Sequence, residues 1–382
     1  MNGRELHQAI FAGERFERLP ICGFDGWAET IERWRNEGLG ADESPNAALG
    51  LVGDEHAGLP LNLNMHPLFE IEVIEETERY VTLVDEFGVT KKMLRVDFDR
   101  SQGRMQAAGS TSSMSHWLKF PVRDMSSWKQ VYDERFRAIP EGRVTADLAQ
   151  DGSRLKARAE TRWVSHFSFP FGGLFSAVRQ LMGLEGAVFA MAEQPELVHA
   201  IVADLSDFYA KSYALLVPEL RLDQLTCFED MCSSRAPLIS PALFREFFAP
   251  GYRKYIGALK DMGVQHVFID TDGDARLIIP ELIECGFTGC SPCEVNANMQ
   301  AAELREAFPA FVLSGGIDKR AVARGGTALD EEVERRFKTA WERGRYVPNL
   351  DHMAPPDISW ANIQRYAQLV LAWQTSPDGP GK

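Results

Sequence analysis

The sequence predicts an α/β fold: a single (β/α)8 barrel of the TIM type, carrying an N-terminal α+β elaboration. Three observations predict it. From about Glu160 onward, short runs rich in β-branched and aromatic residues alternate with longer amphipathic runs, which reads as roughly six to eight strand–helix units in one direction. Several strand candidates end in a carboxylate, and parallel α/β folds bind ligands at those ends. Neither an internal repeat nor a composition break near residue 200 marks a linker, so residues 1–382 read as one domain, with 40–146 as the elaborating region. A doubly wound open sheet is the alternative.

Apolar residues at 45% and charged residues at 25% are ordinary for a globular protein. A net charge of -14 argues against nucleic acid or an anionic membrane surface as partner. Apolar runs of about 18 residues, as a membrane span needs, do not occur, and MNGRELHQAIFAGERFERLP lacks a signal-peptide core. Six cysteines in so long a chain are no disulfide framework; a reducing cytoplasm is the expected setting.

Residues 3–18 read as an amphipathic helix, with Leu6, Ile10, Phe11 and Phe16 near one face. Residues 19–24 read as a first strand, followed by Asp25-Gly26-Trp27 and the helix AETIERWRNEGL, stopped by Gly38. Asp25 and Trp27 thus stand at a strand end; a helix cap and a packing residue are the plainer reading. The stretch HPLFEIEVIEETERYVTLVDEFGVTKKMLRVDF alternates apolar and polar residues around a turn at Glu86-Phe87-Gly88, so it is antiparallel with one wet face. Residues 115–122 read as a loop or edge segment, SSWKQVYDERF as a helix, and the whole region as a lid over the barrel mouth.

RWVSHFSF is the next strand, and Gly172-Gly173 opens a helix; two glycines alone are a weak phosphate signal. PELVHAIVADLSDFYAKSYALLV is a long helix, and residues 222–228 form a strand ending in Glu229-Asp230. SPALFREFFAPGYRKYIGALKDMG reads as a helical hairpin capped by Ser240 and interrupted at Pro250. The centre of the design is GVQHVFIDTDGDARLIIPELIECGFTGCSPCEV: a buried strand stopped by Asp270-Thr271-Asp272-Gly273-Asp274, a helix ended by Gly286, and a short strand reaching Cys293-Glu294. FVLSGGIDK runs into Gly315-Gly316 and Asp318-Lys319. A last strand at 345–349 leads to Asp351-His352, then come the helix SWANIQRYAQLVLAW and a disordered SPDGPGK tail.

A closed barrel would gather Asp25, Glu229, Asp230, Asp270, Asp272, Glu294, Asp318, Lys319, Asp351 and His352 at one mouth. Singly, each has a bland reading as turn residue, cap or surface ion pair. Together, so many acids require a metal, a proton or a cationic partner. His352, beside Asp351, is the best acid–base or ligand candidate; His266 falls inside its strand and reads as a satisfied core histidine. The lone Cys290/Cys293 pair reads as core, with Cys293 kept as a ligand candidate.

The stretches CFEDMCSSRAPLISPALFREFFAPGYRKYIGALKDMGV, DTDGD, ELIECGFTGCSPCEV, LSGGIDKRAVA and VPNLDHMAPPDISWANIQRY resemble the uroporphyrinogen decarboxylase superfamily over roughly residues 160–370. The resemblance implies the same barrel with its site at the C-terminal mouth. True decarboxylases of that superfamily carry an arginine-rich N-terminal motif of the kind RQAGRY; LPICGFDGWAETIERW occupies that region here, and only His352 matches a family position. The resembling methyltransferase branch holds zinc through a His-x-Cys pair and a later Cys. Asp270-Thr271-Asp272 and Asp351 stand at those places, so the resemblance implies a hard-ligand zinc site on Asp270, Asp272, Asp351 or His352, with Glu229 or Glu294. The expected activity is corrinoid-linked methyl transfer from a small O- or N-methylated substrate. Methylcobalamin would sit on a partner corrinoid-binding protein, Asp270, Asp272 and His352 would be catalytic, and Asp25, Trp27, Glu229, Asp230, Glu294, Asp318 and Lys319 would bind substrate. A homodimer is a further expectation. Decarboxylation or lysis of a smaller carboxylated substrate, and a non-catalytic ligand-binding barrel, are the alternatives.

Overall fold

The structure is a computed structural model and describes residues 1–53, 55–99, 104–105, 115–139 and 142–378. Its strands are β1 (His56–Gly58), β2 (Glu72–Glu76), β3 (Tyr80–Val84), β4 (Thr90–Leu94), β5 (Phe98–Asp99), β6 (Arg104–Met105) and β7 (His116–Lys119) in the first part of the chain. β8 (Trp163–Ser168), β9 (Gln224–Phe228), β10 (His266–Asp270), β11 (Gly289–Ser291), β12 (Val312–Ile317) and β13 (Tyr346–Leu350) follow. β1 and β8 to β13 form one seven-stranded sheet, parallel throughout, in the order β1-β8-β9-β10-β11-β12-β13. It curls into a half-barrel surrounded by helices, among them Leu174–Glu193, Pro195–Ala214, Ala249–Asp261, Gly326–Arg343 and Trp360–Gln374. The strand interiors are nearly all apolar: β10 buries Val267, Phe268 and Ile269, as a strand covered on both faces must.

The sheet is not closed into the eight-stranded barrel that the sequence predicts. The segment read as a first strand, residues 19–24, makes no ladder. One isolated parallel bridge joins Gly26 to Ala354, and Asn349 Nδ2 donates to the Gly23 carbonyl at 2.8 Å. Pro20 has no N–H to give a ladder, and Gly23 and Gly26 have no side chains to pack against neighbours, so regular pairing here is weak. β1, by contrast, joins the parallel sheet although its three residues carry no strand pattern; pairing with β8 decides it.

β2, β3, β4 and β7 form a separate antiparallel sheet, with the β3–β4 turn at Asp85–Gly88 where the sequence places it. Residues 115–122 supply its edge strand β7. The expected helical hairpin over 240–261 is instead one continuous helical run. Phe244–Phe248 winds as a π-turn immediately before Pro250, a common way to absorb a proline's missing donor. The first helix stops at Ala12 rather than residue 18, because Gly13 adopts the left-handed conformation (φ 71°) and caps it. The last four residues of the expected disordered tail lie outside the described residues. No helix among the described residues is long and apolar enough to cross a membrane.

The helix Gly3–Ala12 covers the amino-terminal opening of the sheet. His7 stacks on Trp163 (centroids 5.2 Å apart, 18° between planes), and Phe11 packs on His266 and Phe268 at 4.9 and 5.4 Å. Among the described residues, no helix covers the opposite, carboxyl-terminal opening in this way.

Candidate active site

A cavity of about 600 Å³ opens at the carboxyl ends of the parallel strands. Each wall follows from where a strand stops. β8 ends in Phe167 and Phe169, β9 in Phe228 and Asp230, β10 in Asp270 and Asp272, β11 in Pro292, and β13 in Asn349, Leu350, His352 and Met353. Gly23, Phe24 and Asp25 close the remaining side.

Asp272 and His352 meet across the mouth, Oδ2 to Nε2, at 3.2 Å. They are eighty residues apart, and only the sheet brings them together. This hydrogen bond to Asp272 is the main reason the His352 pKa lies above its ordinary value; burial opposes it. The sequence points to Asp351 as the partner, but Asp351 is fully buried and turned away. Its carboxylate accepts from the Val295 and Lys319 N–H groups at 3.0 and 3.2 Å, which fixes the two neighbouring strand-end loops. The His352 loop is held by the N-terminal segment: Ala354 N–H donates to the Asp25 carbonyl at 2.8 Å, and Thr30 Oγ1 donates to the Ala354 carbonyl at 2.8 Å. That clamp, together with Pro355 and Pro356, fixes the direction of the imidazole.

Asp270 accepts from Ser291 Oγ at 3.0 Å. Burial raises its pKa to about 7; Asp272 adds to the rise, and the Ser291 bond works against it. It is therefore shared between protonated and ionised forms at neutral pH. Asp230 is paired with Arg179 at 2.8 Å, and Asp25 is exposed at the rim.

The other strand-end acids are committed elsewhere. Glu229 is fully buried and accepts from the Phe175 and Ser176 N–H groups (2.8 and 2.7 Å) and from Tyr252 Oη (2.5 Å). It fills the helix N-terminus after Gly172-Gly173, where an outside anion would otherwise be favoured. A Cβ on Gly173 would lie 2.1 Å from the Phe228 carbonyl oxygen and 2.3 Å from Glu229 Oε2, so glycine there serves this close approach. Glu294 bonds Lys319 Nζ at 3.0 Å and the Gly273 N–H at 3.2 Å. Asp318 caps the helix Lys319–Arg324 and pairs with Arg320 at 2.9 Å. Glu294, Asp318, Lys319 and Trp27 lie at this end of the sheet but do not line the cavity.

Among the described residues no three His, Cys, Asp or Glu side chains converge as a metal-ligand set. Of the expected ligands, Asp272 and His352 meet, Asp270 faces Ser291, and Asp351 is spent on backbone N–H groups. The metal expectation therefore does not fit this arrangement. Cys290 and Cys293 lie with sulfurs 3.6 Å apart, both buried, and neither lines the cavity. The aromatic wall of Phe167, Phe169 and Phe228 went unread in the sequence. RWVSHFSF holds two of its three rings, Phe167 and Phe169, and Phe228 ends the next strand.

The antiparallel sheet sits beside the mouth. Asp85, Val89, Trp117 and Phe120 line a second cavity of about 390 Å³ with Arg179, and Asp230 borders both.

Fold and cavity together define an α/β protein with a cavity at the carboxyl ends of its parallel strands. The family model for uroporphyrinogen decarboxylase (URO-D) matches residues 169–373, just over half of the chain, and the chain belongs to that family. The match spans every strand-end acid from Glu229 to Asp351 and leaves out Asp25, Phe24 and Phe167.

Proposed function

We propose that the chain is a methyltransferase that removes a methyl group from a small O- or N-methylated substrate and passes it to a corrinoid carried by a partner protein. Membership of a family of enzymes supports catalysis as such. The observation that carries the finer reading is the Asp272–His352 pair, set at 3.2 Å in a cavity walled by phenylalanines and lined by no lysine or arginine among the described residues. A polycarboxylate substrate needs cationic partners there, and Asp25, Asp230, Asp270 and Asp272 would repel it.

The corrinoid supplies the nucleophile that accepts the methyl group. This chain's residues do the rest. The phenylalanines exclude water and orient the apolar part of the substrate. His352, whose protonated form Asp272 favours through Nε2, delivers its Nδ1 proton to a leaving oxygen as the O–CH3 bond breaks, and Asp272 steadies the imidazole. Asp270, sharing a proton near neutrality, restores it. The elaborating sheet, which lines the second cavity beside the mouth, is proposed to act as the lid.

A decarboxylase or lyase of a smaller carboxylated substrate is the second reading; the same protonated pair would then deliver a proton to the carbanion left by CO2 loss. One assay separates them. Purified chain is mixed with a reduced corrinoid and methylated candidates, and the cobalt absorbance is followed, alongside CO2 release from matched carboxylates. Methyl-dependent absorbance change is expected. CO2 release without it would replace the first reading by the second.

A further inference from the structure

The strand-end phenylalanines are unusual in being left open. Phe167 and Phe169 are 52% and 50% exposed, at the carboxyl end of β8, whose first residues Trp163 and Val164 are buried. They are also ordered against each other. Phe167 and Phe169 lie nearly parallel (15°) with centroids 6.3 Å apart, and Phe228 meets Phe169 edge-on at 4.8 Å and 77°. The three rings form a packed aromatic wall at the cavity, and aromatic rings attract cations through their quadrupole. Leaving that apolar area in water costs free energy that a ligand recovers on binding.

The charged groups that line the same cavity are mostly carboxylates. Asp25, Asp230, Asp270 and Asp272 line it, and His352 is the only lining side chain among the described residues that takes a positive charge. His352 is held by Asp272, and Arg179 meets Asp230 from outside the lining. The nearest lysine at this end, Lys319, is engaged by Glu294 at 3.0 Å and Asp351 at 3.7 Å. Anionic groups are thus repelled by the lining carboxylates. A neutral methyl ether gains from the rings alone. A cation with apolar substituents gains from the rings and from the carboxylates together.

We infer that the cavity binds a methylated ammonium centre, with Phe167, Phe169 and Phe228 as its aromatic wall and Asp25 and Asp270, the lining carboxylates in no ion pair among the described residues, as its counter-charge. When such a centre gives up CH3, the C–N electron pair stays on nitrogen and a neutral amine leaves without taking the His352 proton, which serves O-methylated donors; the inference rests on the methyl-transfer reading for the fate of the methyl group, and on the cavity alone for the charge.

The test is isothermal titration of the full chain with two probe pairs. Each pair sets a trimethylammonium compound, choline or trimethylanilinium, against its uncharged analogue with tert-butyl in place of trimethylammonium. At least one cation is expected to bind about tenfold or more tighter than its analogue, the size of a desolvated cation–π contact plus a carboxylate. Phe169→Leu, which keeps apolar bulk and removes the ring, should cut that preference several-fold by weakening the cation more than the analogue. Equal or tighter binding of both analogues, or no binding of either cation, overturns the inference. A preference unchanged in Phe169→Leu also overturns the aromatic assignment. The two readings fail separately. A cation that binds with the expected preference yet yields no corrinoid methylation sinks methyl transfer alone. Methyl transfer from a neutral methoxy compound, with no cation preference, sinks the inference alone.

Discussion

At the carboxyl ends of the strands His352 stands 3.2 Å from Asp272, and its pKa is raised. At the amino ends His7, His56 and His266 sit under the first helix, among Trp163 and Phe11, and their pKa values are lowered, His7 to about 3 and His266 to about 4. Burial dominates all three of those shifts, whereas a carboxylate partner dominates the one at the mouth. His266 is a core histidine, as read from its place in the strand, though its Nδ1 is buried without a partner rather than satisfied. The lesson is that one end of this sheet is finished with neutral, packed rings and the other with groups kept able to exchange protons.

The sharpest way to break this contrast is His352→Gln. Glutamine keeps a hydrogen bond to Asp272 but exchanges no proton near neutrality. Turnover of the methyl donor should fall by about 10²–10⁴ with the melting temperature nearly unchanged. Retained turnover with earlier melting would make His352 structural.

Glu229→Ala probes the mouth's foundation rather than its chemistry. It leaves the Phe175 and Ser176 N–H groups and Tyr252 Oη without their buried acceptor. Chemical denaturation should show a loss of roughly 3 kcal/mol or more, at about 1–3 kcal/mol for each stranded group. Normal stability with weakened substrate binding would return Glu229 to the binding residues.

The two ends should also titrate stability in opposite directions. Asp270 has a folded pKa of about 7 against an unfolded value near 3.8, so the folded state holds a proton the unfolded state has released, and stability is lost as pH rises between them. Asp270→Asn should therefore stabilise the protein above pH 7, by at most about 4 kcal/mol. His266, with a folded value of about 4, costs stability as pH falls below 6.5, and His266→Phe should flatten that acid limb. Melting curves from acid to alkaline pH check both; slopes of the same sign would erase the contrast.

The smallest expected effect is on the stability of Asp272→Asn. Asp272 is 44% exposed, so losing its pair with His352 should cost under about 1 kcal/mol. The kinetic consequence is larger in kind. Without the carboxylate the imidazole gives up its proton sooner, so the alkaline limb of kcat/KM should move to lower pH. An unmoved limb would mean that Asp272 does not tune His352.

The sequence by itself determined the parallel α/β plan from β8 to β13, since period and length separate strand from helix where strands are buried on both faces. It also determined that acids crowd the strand ends, because a carboxylate cannot continue a buried strand. It did not contain the strand status of His56–Gly58 or the open gap beside Gly26, as both turn on backbone pairing with distant chain rather than on local pattern. Nor did it sort the acids. Asp272 and Asp351 look alike in sequence, yet one faces the cavity and the other is buried on backbone N–H groups. Which carboxylate meets a proton carrier and which meets a backbone donor depends on distances between loops some eighty residues apart, and only the folded sheet sets those distances.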